Sequence, residues 1–230
     1  MDMHWIVGRT KKRGLNSPAA RPRGCGTPVH HNGRRVRGTT TALSIPASTR
    51  PLEPLAGRRV LVLADVQNLS TGAEKLGFKF SYRLFGQRLR QAAKGCSAHA
   101  FFATTPRNGR MAAYFAERGW RPHVYPIHAV QTCRGTERRS NVDTVLAFFA
   151  GVLVRASSAE VIGVCSGDGQ LVSDIAIAIA ALPKKRDVVT FSLAGSTAWV
   201  LDATKNPLIA ANVEIGRDVL HQGRANRWAT

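Results

Sequence analysis

The stretch RRVLVLADVQNLS, Arg58 to Ser70, constrains the fold of this chain more than any other. Its five uninterrupted apolar residues, Val60 to Ala64, are rich in β-branched residues and Leu; Gly57 precedes them and a polar turn follows. A run of that length with no polar alternation reads as a strand covered on both faces, as in a parallel sheet flanked by helices. It ends at Asp65, with Asn68 three residues on. In open α/β sheets ligands bind in the crevice at the carboxyl ends of the strands, which puts Asp65 at its lip. The plainer alternative is an Asp that only caps its turn through backbone hydrogen bonds.

Beyond this strand the chain alternates regularly. A Gly-bearing loop is expected over Thr71 to Phe80. A helix then begins at Ser81, with Leu84, Phe85, Leu89 and Ala92 at helical spacing and Gly95 as its stop. Ala98 to Ala103 reads as a strand, and Asn108 to Gly119 as a helix with Met111, Tyr114 and Phe115 on one face. Pro122 to Ile127 reads as a strand near an edge, because proline cannot donate to a ladder. A basic loop, Cys133 to Ser140, leads to Asn141–Arg155, apolar nearly all round and therefore expected as a buried helix. Val161 to Cys165 is a strand, Gln170 to Leu182 a mostly apolar helix stopped by Pro183, and Asp187 to Leu193 a strand. A short helix near Ala198 to Ala203 and a last short strand in NPLIAANVEIGRDVL complete the pattern. The alternation predicts a three-layer α/β domain with a mainly parallel sheet of five or six strands.

Charge narrows the partners. There are 33 Lys and Arg against 14 Asp and Glu, a net +19. A chain this basic is matched to a polyanion, nucleic acid first and a membrane surface second. No run approaches the ~18 apolar residues of a membrane span, so no membrane partner is expected. The four cysteines, Cys25, Cys96, Cys133 and Cys165, form no C-x-x-C pair, which excludes zinc-ribbon spacing and favours reduced thiols in the cytoplasm. Residues 1–57 hold ten Lys or Arg against Asp2 and Glu53 and show no periodicity. They are expected as a disordered basic arm, ahead of a domain over 58–222 and a basic tail over 223–230. A nucleic-acid-binding arm, a transit peptide and a start codon placed too far upstream all fit the composition.

Three acids line up with the elements. Asp65 ends the first strand. Asp143 lies in the first turn of the apolar helix, three residues after Ser140, a good N-cap type. Asp168 lies in the SGDG turn, where Gly167 and Gly169 free the backbone. Each has an ordinary explanation, as a cap or a turn residue. Together at one sheet edge they make a cluster that repels itself unless a cation or shared protons relieve it. Oxygen ligands suit Mg²⁺ or Mn²⁺, and such an ion facing a phosphate can activate a water.

These motifs resemble, in order, those of the NYN-domain family of PIN-like ribonucleases. The D-x-x-N of that family is matched by Asp65 and Asn68, the helix opening K-G-V-D-x-x-L by Ser140, Asn141, Val142, Asp143 and Leu146, and S-G-D-x-D-F by Ser166 to Leu171. The resemblance covers Arg58 to Val219. It implies a PIN-like fold and metal-dependent cleavage of RNA. Asp65, Asp143 and Asp168 would hold Mg²⁺ or Mn²⁺, Asn68 would orient Asp65 or a metal-bound water, and Arg134, Arg138, Arg139 and Ser140 would meet the RNA, single-stranded or structured. Three positions depart from the family: Ser140 replaces its lysine, and Phe149 and Gln170 replace two acids. The alternative is therefore a catalytically inactive NYN-like RNA-binding module, and self-association is left open. GDGQLVSD is also similar to the G-D-G-x-x-D signature of haloacid-dehalogenase-like phosphatases, but Gln67 stands where that family needs a second acid.

Overall fold

The computed structural model describes residues 52–104, 109–132, 135–193, 198 and 203–222. The chain divides into two units, Met1–Thr41 and Ala42–Thr230. The described residues belong to the second, so most of the expected arm and the tail from 223 lie outside them.

Strand β1, Arg59–Asp65, is buried from its second residue to its last. Val60, Val62 and Ala64 turn into one apolar cluster, and Leu61 and Leu63 into another on the opposite face. Each side chain so buried contributes about 1.5–3 kcal/mol, which is why β1 takes the centre. It is joined by β3 (Gly95–Thr104), β4 (Trp120–Pro126), β7 (Val161–Cys165), β8 (Asp187–Leu193) and β9 (Ala211–Ile215). The sheet order is β4-β3-β1-β7-β8-β9, and every pairing is parallel. On one face pack α1 (Val66–Lys75), α2 (Tyr82–Ala92) and α3 (Gly109–Ala116); on the other, α4 (Val142–Ala156) and α5 (Gly169–Ala180). The protein is thus a three-layer α/β fold with a six-stranded parallel sheet. Two short antiparallel pairs complete it, β2 (Phe78–Phe80) with β10 (Leu220–Gln222), and β5 (His128–Thr132) with β6 (Gly135–Arg139).

Counting only the strands of the sheet along the chain, the order is 3-2-1-4-5-6, that of a doubly wound α/β sheet. From β1 the chain winds outward through β3 to β4. It then crosses back through the β5–β6 hairpin and α4 to β7, on the other side of β1. The carboxyl ends of β1 and β7 therefore feed helices on opposite faces and part from one another.

Several local expectations are corrected. The loop expected over Thr71 to Phe80 is the end of α1 followed by β2. Asp65 caps α1, its side chain accepting from Asn68 N–H, which outweighs the poor helix propensity of Gly72. Gly95 does not stop α2, which ends at Ala92; it opens β3. Within the expected basic loop, Gly135–Arg139 form a hairpin strand, β6, and residues 133 and 134 lie outside the described residues. Tyr114 faces outward, its ring under the Arg118 guanidinium at 3.7 Å, while Phe115 is buried. Ahead of Arg58, Glu53–Leu55 make a 3-10 turn whose Leu55 is fully buried, so the fold begins before the expected boundary. Proline-bearing β4 does lie at the sheet edge. The short helix expected near Ala198 to Ala203 falls mostly outside the described residues.

Gly163, midway along β7, has no room for a side chain. A Cβ there would meet Phe191 Cε2 at 2.9 Å and Val62 Cγ2 at 3.4 Å. Phe191 is itself held edge-on by Phe85, with centroids 5.6 Å apart. Gly163→Ala should therefore cost about 1–3 kcal/mol through overpacking, lowering the melting temperature by roughly 3–10 °C. Adding Phe191→Leu should recover part of that loss. Calorimetry of the four proteins of the double-mutant cycle checks it; strict additivity would show that the ring is not what Gly163 accommodates.

Candidate active site

The parting of β1 and β7 brings three helix N-termini to one edge of the sheet. Asp65 sits at the end of β1 and caps α1, its Oδ1 accepting Asn68 N–H at 3.0 Å. Asp168 caps α5, with Oδ1 accepting Gln170 N–H at 2.9 Å and Leu171 N–H at 3.2 Å. Asp143 lies in the first turn of α4. Each helix presents its positive end to its own carboxylate, which favours the charged form. The capping explanation thus holds for Asp65 and Asp168, in each case through a single oxygen.

The two turns are tied together. Asn68 Oδ1 accepts Gly167 N–H at 2.8 Å, linking the start of α1 to the SGDG turn 99 residues on. Ser166, fully buried, accepts Asp168 N–H at 3.2 Å, and its Oγ lies 3.5 Å from Asp65 Oδ2. Sequence reasoning passed over Ser166. Its signal was its place between a strand end and the acidic turn, where a buried hydroxyl must find partners.

Electrostatics shows that the carboxylates feel one another. Burial pushes Asp65 up to about 6, against the pull of the Asn68 N–H, and the charge of Asp143 adds to the rise. Asp143 is raised by partial desolvation and then by Asp168. The three acids form a repelling chain, Asp65–Asp143–Asp168. Among the described residues, no three His, Cys, Asp or Glu side chains are grouped closely enough to hold a metal ion. The donor chemistry nonetheless suits a hard cation: all oxygen, mutually repelling, with Asp168 anchored through one oxygen and Asp65 held by Asn68 at one oxygen and, at 3.5 Å, by Ser166 at the other.

The remaining site residues are placed unevenly. Ser140 does not cap α4; Asn141 holds the N-cap position, without a side-chain bond. Arg138 and Arg139 lie on β6, opposite Ala129 and His128, in the hairpin that leads into α4. Arg134 lies outside the described residues. At the departures from the family pattern, Phe149 joins an aromatic cluster, 5.6 Å from His123 and 6.5 Å from Phe101. Gln170 donates to Asp174 Oδ1 at 2.8 Å, so Asp174 is engaged on α5. Within the aromatic cluster, His99 Nδ1 and His123 Nε2 are 2.9 Å apart. Burial, with His123 and Arg121 nearby, lowers His99 to about 4, so the pair is neutral at physiological pH.

No family model matches the chain, and no curated protein matches it. Among solved structures it is similar to a protein of unknown function from Vibrio parahaemolyticus, at 20% identity over 72% of this chain and 97% of that one, with a TM-score of 0.55. That likeness shows a shared three-layer α/β fold. A second similarity, to MurG of Acinetobacter baumannii, has 12% identity over 67% of this chain and 40% of that one. Its TM-score of 0.37 is too low to bear on fold or function.

The buried carboxyl makes a pH prediction. Asp65 titrates near 6 in the fold against an ordinary value of 3.8, so the native state keeps a proton that the unfolded chain loses. The resulting instability is absent below pH ~4 and complete above pH ~6, amounting to about 3 kcal/mol. Asp65→Asn removes this ionisation and keeps an oxygen for the cap. With chelator present, the parent should lose about 3 kcal/mol relative to the variant between pH 4 and 7.5. Denaturant melts across that range check it; a pH-independent gap would contradict the buried, raised carboxyl.

Proposed function

We propose that this protein is a Mg²⁺- or Mn²⁺-dependent ribonuclease of the NYN type, cleaving RNA phosphodiester bonds at Asp65, Asp143 and Asp168. The observation that carries this reading is the placement of the three acids at helix N-termini along one edge of the sheet, two of them where β1 and β7 end. They lie on separate elements, and the fold gains nothing from setting their charges against each other. Asp65, Asp143 and Asp168 would hold the ion, with waters completing its shell. When bound, such an ion lowers the pKa of a water and neutralises phosphate charge. Asn68 and Ser166 keep the Asp65 and Asp168 turns in register. The net +19 charge draws RNA in, and Arg134, Arg138 and Arg139 would follow the RNA backbone. Among the described residues no helix is long and apolar enough to cross a membrane. The free thiols Cys96 and Cys165 suit action in a reducing cytoplasm.

A non-catalytic RNA-binding module is the second reading. It is favoured by the absence of a closed group of metal-binding side chains among the described residues and by the aromatic packing of Phe149. Asp168→Asn separates the two, because Asn caps a helix about as well as Asp yet removes one ligand charge. The parent should cleave single-stranded RNA with Mn²⁺ and not with chelator. The variant should lose about a hundredfold or more in rate, since even indirect partners of ligands cost 10–100-fold, and bind RNA as tightly or more so. Metal-independent cleavage by the parent would refute the mechanism, and no cleavage would leave the binding module.

A further inference from the structure

A cleft opens at the amino edge of the sheet, where α5 ends, about 18 Å along that helix from the Asp168 turn. Its apolar walls are Ala176, Ile179 and Ala180 of α5, Val188 of β8, and Leu208 and Ala210 ahead of β9, and its volume is about 510 Å³. Small-molecule sites have volumes of roughly 300–1,000 Å³. The walls are held in place by the protein itself. Pro183 and Pro207 stiffen the turns that border the cleft. Ile209 N–H bonds to Asn206 O at 3.0 Å, and Ala210 N–H to Val188 O at 2.8 Å.

The charged side chains of the lining are already engaged, with one exception. The Arg186 guanidinium donates to Ala159 O, Lys184 O and Ser157 O, each at 3.3 Å. The Asp187 carboxylate pairs with Arg58 at 2.8 Å. Lys185 is exposed and lines the cleft, and among the described residues its ammonium has no hydrogen-bond or ion-pair partner.

We propose that this cleft binds a small organic monoanion, a carboxylate on a compact apolar body. The body packs on the α5 and β8 walls, and the carboxylate meets the Lys185 ammonium in a charge-assisted hydrogen bond. A wholly apolar ligand would take water from Lys185 and return no partner. A dianion such as a phosphate monoester is disfavoured by its neighbours. The negative pole of α5 and the Asp187 carboxylate both border the cleft, and Arg186, held by three carbonyls, supplies no second cation. The site lies at the opposite edge of the sheet from Asp65, Asp143 and Asp168, so it stands independently of the nuclease reading.

Isothermal titration calorimetry on the full chain without RNA tests this, with 4-phenylbutyrate and decanoate as probes. Each should saturate one site per chain with submillimolar affinity. 4-Phenylbutanol and 4-phenylbutyl phosphate, which share the apolar body, should bind at least about tenfold more weakly. Lys185→Gln should weaken 4-phenylbutyrate at least about tenfold. Ala180→Phe, which fills the cleft from an exposed helix position, should abolish binding with unchanged circular dichroism. Lys184→Gln removes the same charge from a side chain outside the lining and should bind as the parent does. Phe148→Ser and Val152→Ser should do so too, although Phe148 is 67% exposed and Val152 48% on α4. No saturable binding of either carboxylate would overturn the proposal, as would Ala180→Phe binding like the parent. Equal losses in Lys184→Gln and Lys185→Gln would overturn it by showing attraction to charge in general, and loss in the α4 variants by placing the probe on that helix.

Discussion

Strand β1 must be covered on both faces, and the rest of the architecture follows from meeting that demand. Alternating residues of β1 feed two separate apolar clusters, so helices must lie on both sides and the neighbouring strands must run parallel. With β1 in the middle, the chain winds first to one side and then to the other. That reversal leaves a crevice beyond the carboxyl ends of the paired strands β1 and β7. The polar residues ending those strands, Asp65 and the SGDG turn, are left at the opening because no apolar partner exists there.

The opening sets two electrostatic effects against each other. Helix N-termini favour each carboxylate singly, typically by 0.3–1 kcal/mol and up to about 2 when partly buried. Desolvation and mutual repulsion act the other way and prevail at Asp65 and Asp143, both of which are raised. The Asn68–Gly167 and Ser166–Asp168 bonds hold the turns in place despite this strain. An interior that needed only helix caps would have used Ser or Asn at little loss. Acids set against one another in this way are what the proposed cation site would need.

Much of this was legible in the sequence because the relevant signals were local and strong. The run Val60–Ala64 announced a central strand, and VIGVC and DVVTFSL gave two more with their observed bounds. Asp65, Asp143 and Asp168 were found because each adjoins a strand end or a helix start. Helix α1 was missed because its cap residue was read as a turn and Gly72 lowered its apparent propensity. The β5–β6 hairpin was missed because GTERR has no apolar alternation; its pairing is set by the facing strand. The exposure of Phe148 and Val152 was hidden for a different reason. An apolar residue on a helix signals burial, and α4 is apolar nearly all round, so its sequence does not mark which face the core takes.

The account turns on three acids sharing one cation, and a titration with Mn²⁺ followed by electron paramagnetic resonance tests it most directly. Asp143 is the informative position, because its side chain makes no hydrogen bond among the described residues and its loss leaves the fold's bonds intact. The parent should bind one Mn²⁺ per chain, and Asp143→Asn should bind at least about tenfold more weakly, with a melting temperature in chelator no lower than the parent's, because one repelling charge is gone. Equal affinity in the two proteins, or no binding by the parent, would contradict a shared cation site.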